Sequence, residues 1–117
     1  MADEAQELAE ECARAMLEED KASAGLGISL EAIAPGQAEL AMTVTENMVN
    51  GHNICHGGMI FTLADSAFAF ACNTYNQVTV AASAEISFLR PAQLGDKLLA
   101  VSHEIWRSGR SGIYDTT

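Results

Sequence analysis

The chain has 117 residues, of which 49% are hydrophobic and 19% charged, with a formal net charge of −10. That length makes one domain able to bury a core and gain from association. The composition excludes a disordered chain, and the negative balance excludes nucleic acid and anionic membrane surfaces as partners.

In chain order, residues 2–20 carry Ala5, Leu8, Cys12, Ala15 and Met16 at helical spacing among acids, which predicts an amphipathic surface helix. Glu18, Glu19 and Asp20 sit at the end where the helix dipole disfavours them, so the last turn is expected to fray into an exit loop over residues 22–27. Residues 26–33 and 38–45 alternate apolar with polar or small residues around Ala34-Pro35-Gly36-Gln37, a type II turn sequence, and predict a β-hairpin. Leu40, Met42 and Val44 are expected to face the core, with Glu39, Thr43 and Thr45 outward. A polar connection then carries the turn signal Asn50-Gly51.

Residues 56–73, HGGMIFTLADSAFAFACN, form an apolar run with one carboxylate, Asp65. With no Pro and no interior Gly, it reads as a core helix wrapped on every side. It falls short of the roughly 20 apolar residues of a membrane span and carries an acid at its middle. Residues 78–89 alternate Val78, Val80, Ala82, Ala84, Ile86 and Phe88 on one face and predict a third strand. After the Pro-containing loop 90–96, residues 97–107 predict a fourth strand, 108–111 a turn, and 112–117 the start of a fifth. The fold class is α+β: a curled antiparallel sheet around one long helix, preceded by an amphipathic helix.

Asp65 is the residue that demands a chemical account, because a buried carboxylate costs several kcal/mol unless it is paired, protonated or solvated. One account is structural, with Thr62 and Ser66 as hydrogen-bond partners; the other is functional. Gly57 and Gly58 favour the second. They stand at the start of the helix, where unpaired N–H groups and the positive end of the dipole suit a polarised carbonyl or oxyanion, and they have no side chains to block approach. Metal binding by His52, Cys55 and His56, completed by Cys72 or His103, fits no structural zinc spacing. Cys55 beside His56 in sequence does not by itself make a nucleophile and base. No basic, apolar leader precedes residue 20, and the three cysteines are odd in number, so the expectation is a cytoplasmic protein with reduced thiols.

Residues 50–73, NGHNICHGGMIFTLADSAFAFACN, followed by SFLRPAQLGD over residues 87–96, resemble the hotdog-fold acyl-CoA thioesterases, in particular the phenylacetic acid degradation type. The resemblance implies a single domain over residues 1–117, truncated in its C-terminal strands because such relatives continue further. It implies hydrolysis of an acyl-CoA thioester, aryl-acyl such as phenylacetyl or hydroxyphenylacetyl or else medium-chain, with no cofactor beyond the coenzyme A of the substrate. Asp65 would be general base or nucleophile, Gly57 would donate its N–H to the thioester carbonyl, His56 would orient that end, and Asn50 would contact the reacting group. Ser83 would position water, although the alternation places it on the face opposite Ala82 and Ala84. A non-catalytic acyl-binding or assembly module is the alternative, as is a hydratase or dehydratase, whose Asp plus Asn-Pro-x-His signature is absent.

Six bases serve the chain, and four of them, Arg90, Lys97, Arg107 and Arg110, fall within residues 90–110, while eight acids crowd residues 1–21. Coenzyme A phosphates are expected there, on Arg90 and Arg110 first, unless these are ordinary solvated surface bases. Gly58, Phe61 and Phe68, with Met59, are candidates to line the substrate site, or else core. At about 1.5 Å per residue, Asp65 lies roughly 12 Å along the helix from Gly57, so one thioester cannot reach both in one chain. The expectation is a homodimer with antiparallel helices and two shared sites, and the resemblance implies pairing of dimers into a homotetramer.

Overall fold

The computed structural model describes residues 3–117, which leaves Ala2 of the expected first helix outside the described residues. Helix α1 spans Glu4–Glu19 and is capped by Asp3, whose carboxylate accepts from the N–H groups of Ala5 and Gln6. Its buried stripe centres on Ala9 and Ala13, with Leu8, Cys12 and Met16 half-buried; Ala5 and Ala15, expected inside, face solvent. Small residues occupy the line of contact with the first strand, and Gln6 Nε2 donates to the Ile33 carbonyl there at 2.8 Å.

The last turn of α1 does not fray. The Asp20 N–H donates to the Met16 carbonyl, while the Asp20 carboxylate reaches forward to accept from Ser23 N–H at 3.0 Å and Ser23 Oγ at 2.6 Å. It thereby caps a short helix α2, Lys21–Gly25, in place of the expected exit loop. An acid misplaced at the end of one helix is well placed at the start of the next.

Four strands follow: β1 Ser29–Ala34, β2 Gln37–Thr43, β3 Lys97–Ser108 and β4 Ser111–Thr116, in the order β1-β2-β3-β4 with every neighbour antiparallel. The β1–β2 turn places Gly36 at φ 71°, as a type II turn requires. Gly36 is doubly constrained, since a Cβ there would stand 2.8 Å from the Tyr75 hydroxyl oxygen. Leu40, Met42 and Val44 are fully buried, and Thr43 and Thr45 point out, as the alternation predicts.

Helix α3, Gly57–Cys72, lies across the sheet against β2, β3 and β4. It is not wrapped on every side. Leu63, Ser66, Ala67, Phe70, Ala71 and Cys72 are buried, whereas Gly58, Phe61 and Asp65 form an exposed stripe at helical spacing. An apolar run shows that a surface is to be covered, not whether the same chain covers it.

The third predicted strand is corrected by the structure. Residues 77–91 run irregular and extended, with no ladder to any strand among the described residues, and Val78 is 99% and Leu89 89% exposed. Alternation prepares a segment for a sheet, but a strand exists only where a neighbour takes its N–H and C=O groups.

Candidate active site

The N-terminus of α3 is set by a braced loop. Cys55 N–H donates to the Ala92 carbonyl at 2.7 Å and His56 N–H to the Met48 carbonyl at 2.8 Å, and isolated bridges join Val49 to Cys55 and Ile54 to Gln93. Inside the loop Asn50 Oδ1 accepts from His52 and Ile54 N–H groups, holding a tight bend in which Asn53 adopts φ 60°. This bonding makes Asn50 an organiser of the loop and engages the carbonyl oxygen of its side chain. His56 is the exposed N-cap residue and makes no side-chain capping bond, so the first-turn N–H groups of Gly57 and Gly58 are left uncapped by it.

Beside that helix end opens a cleft of about 380 Å³ lined chiefly by Ile54, Gly57, Ile60, Phe88 and Arg90. The Phe88 ring lies over Gly57 so closely that a Cβ would stand 3.0 Å from its Cζ. Gly57 is therefore required by packing as well as suited to donating an N–H. Ile54, Ile60 and Phe88 are site residues that sequence reasoning missed; the signal for Phe88 was its place on the apolar face of residues 78–89, and no periodicity tied it to Gly57.

Asp65 is exposed and has neither a hydrogen bond nor an ion pair among the described residues. Its expected structural partners are engaged elsewhere: Thr62 Oγ1 donates to the Gly58 carbonyl at 2.9 Å, and Ser66 Oγ pairs with Ser23 Oγ at 2.9 Å. The expectation of a buried carboxylate satisfied on its own helix is thus overturned, because the stripe that carries it is uncovered. Within one chain the helix spacing keeps it about 12 Å from Gly57.

The other predicted residues are less gathered. Ser83 lies on the exposed, unpaired segment, away from any strand face. Phe61 is exposed beside Asp65 on the stripe, while Phe68 is half-buried one turn further on. Of the four later bases, Lys97 stands 3.7 Å from Glu31 and Arg107 3.5 Å from Glu104. Arg90, at the rim of the cleft, and Arg110, at the β3–β4 turn, have no carboxylate partner among the described residues. Burial pushes the Cys55 thiol up and Cys72 up to about 11, so both are poor nucleophiles.

A family model described as the thioesterase superfamily matches residues 52–117, more than half the chain. The chain belongs to the thioesterase superfamily. It is 45% identical over 103 residues to the acyl-coenzyme A thioesterase PaaI of Escherichia coli, a match covering 88% of this chain and 74% of that protein. The structure of the E. coli PaaI protein from the phenylacetic acid degradation operon superposes with a TM-score of 0.93 at 42% identity, covering 95% of this chain and 80% of that one. The phenylacetic acid degradation protein PaaI of Thermus thermophilus superposes at 0.80 with 35% identity, over 83% of this chain and 84% of its own. The fold is therefore the hotdog thioesterase fold, with four sheet strands among the described residues, and none of the described helices is long and apolar enough to cross a membrane.

Proposed function

We propose that this thioesterase hydrolyses acyl-CoA thioesters to free acid and coenzyme A, with aryl-acyl groups of the phenylacetyl class as preferred substrates, in a cytoplasmic homodimer or dimer of dimers. The observation that carries the reading is the exposed stripe of α3, where an unpaired Asp65 carboxylate shares one uncovered face with Gly58 of the uncapped N-terminal turn, beside the Phe88-lined cleft at Gly57. The 45% identity to an acyl-coenzyme A thioesterase supports the substrate class, and the operon named for the superposed E. coli structure supports the aryl group.

Two copies with antiparallel α3 helices bring the Asp65 of each to the Gly57 end of the other. The thioester carbonyl then accepts from the Gly57 N–H, aided by the positive end of the helix, which stabilises charge developing on oxygen. Asp65 removes a proton from water as the water attacks the carbonyl carbon, or attacks that carbon directly and is released by water; the C–S bond breaks and coenzyme A leaves as the thiol after protonation. His56 and Asn50 shape the helix entry on the donor side. Ser83 reaches a site only across a subunit boundary. Arg90 and Arg110, unpaired, take the phosphates of coenzyme A.

The test is complementation. Asp65→Asn chains and Gly57→Val chains are each expected to be inactive as homodimers toward phenylacetyl-CoA, and verified mixed dimers to recover part of the activity, because one site then holds an intact Asp65 and an intact Gly57. Folded mixed dimers without any recovery sink the shared site, full turnover by Asp65→Asn alone removes Asp65 from the chemistry, and a native chain that binds phenylacetyl-CoA without hydrolysing it has a binding role only.

A further inference from the structure

One turn beyond Asp65, on the same side of α3, Phe68 meets Tyr114 of β4 edge to face, with ring centroids 5.6 Å apart and planes at 77°. Both rings are half-buried: they close the core of their own chain and still present ring surface outward. Tyr114 is held from behind. Its hydroxyl donates to Glu104 Oε1 at 3.3 Å, the same oxygen that accepts from Tyr75 at 2.8 Å and stands 3.5 Å from Arg107 Nε. The Arg107 guanidinium in turn lies 3.6 Å over the Tyr75 ring. Two tyrosines and one arginine thus converge on a single carboxylate oxygen, and the effect on Tyr114 is to pin the far end of its ring while Phe68 packs against it.

We propose that Tyr114 determines acyl-group selectivity, forming with Phe68 a rigid aromatic wall against which the acyl chain of the thioester lies. The inference rests on the proposed function, which places the carbonyl at Asp65. From there the acyl group runs along α3 toward its C-terminal half, because in the antiparallel pair the helix of the other copy covers the stretch from Asp65 back to Gly57, where this chain's own Arg90-rimmed cleft lies. A planar aryl group fits a wall of two rings already set at near right angles, since it completes another edge-to-face contact without reordering them. A flexible alkyl chain gains only the area contact and loses rotamer freedom in making it. The half-buried, Glu104-bound hydroxyl stays protonated throughout the working range, its titration pushed well above the usual tyrosine value by burial first and by Glu104 next. Tyr114 therefore acts as a fixed ring and a neutral donor.

The test compares kcat/KM for phenylacetyl-CoA and hexanoyl-CoA in the full chain. Tyr114→Leu is expected to lower the ratio of aryl to alkyl activity by about tenfold, the upper end of one edge-to-face ring contact, chiefly through phenylacetyl-CoA. Tyr114→Phe, which keeps the ring and removes only its tether, is expected to hold the ratio within about threefold. Phe68→Leu, at the other ring of the pair, gives the same directional change if Tyr114→Leu does not fold. An unchanged ratio in a folded, active Tyr114→Leu or Phe68→Leu protein overturns the wall and leaves the thioesterase reading standing. A native chain that hydrolyses neither ester overturns that reading, and the wall with it.

Discussion

The two sides of α3 are made of nearly the same kinds of residue and do opposite things. On one side Leu63, Ala67, Phe70 and Ala71 are closed under the sheet, and the one hydroxyl among them, Ser66, is matched by Ser23 of α2. On the other, Gly58, Phe61 and Asp65 stand open, with an acid that has no hydrogen-bond or ion-pair partner among the described residues. The inner side has every polar atom satisfied, so its free energy is spent on folding. The outer side keeps an unpaired charge and starts from a turn that no side chain caps, which leaves groups free to meet something that is not part of the chain.

The comparison breaks most visibly at Phe70, 1% exposed and among the largest fully buried side chains. Phe70→Ala is expected to cost about 3–5 kcal/mol, read by urea or thermal unfolding, with activity lost only as the folded fraction falls. Asp65→Asn should do the reverse. We expect kcat toward phenylacetyl-CoA to drop by about 100-fold or more with KM nearly constant and the melting temperature unchanged or raised. Near-normal turnover in that variant would make both sides of the helix structural.

Smaller changes sharpen the contrast. Ser66→Ala leaves Ser23 bound only to Asp20 and is expected to cost about 1 kcal/mol in unfolding experiments, with kcat untouched. Replacing both Arg90 and Arg110 by Ala should raise KM for acyl-CoA a few-fold, flatten its salt dependence and spare kcat, because exposed charges act weakly and through screening. The gentlest effect is alkaline. Cys72 holds its proton more tightly when folded, its titration raised from 9.0 to about 11 mainly by burial, with a further push from Asp65. The unfolded chain then ionises first, so stability present below pH 9 is lost as pH climbs toward 11, and Cys72→Ala should flatten the early part of that loss. Tyr75 and Tyr114, both raised by burial first, extend it in the same direction above pH 10.

Much of this was legible in the residues and some could not have been. The hairpin was written in the turn at Gly36 and in the alternation of Leu40, Met42 and Val44, since a period of two and a glycine at positive φ are local facts. The length of α3 followed from an uninterrupted run of helix formers. The exposure of Asp65 did not follow, because residue types report that an apolar face must be covered and say nothing of which chain covers it. Residues 78–89 fail as a strand for a related reason: pairing is a property of two segments, and only one was visible in the alternation. Helix α2 was hidden because Asp20 reads as a poor helix end until one sees that it begins another. The approach of Phe88 to Gly57 joins positions 31 apart and leaves no trace in either neighbourhood.

The bracing of residues 55 and 56 against Ala92 and Met48 carries one more consequence. It anchors α3 at the end that bears the donors, and the helix itself fixes how far along its axis the carboxylate stands. In the proposed mechanism the segment is a ruler with a donor at one mark and a base at another. In an antiparallel pair, two such rulers lie side by side and share both gaps. A slip of one helix against the other by a single residue, about 1.5 Å, misaligns both gaps by the same amount at the same moment. In the proposed dimer the two sites therefore stand or fall together, and an agent that wedges the helices apart is expected to silence both at once.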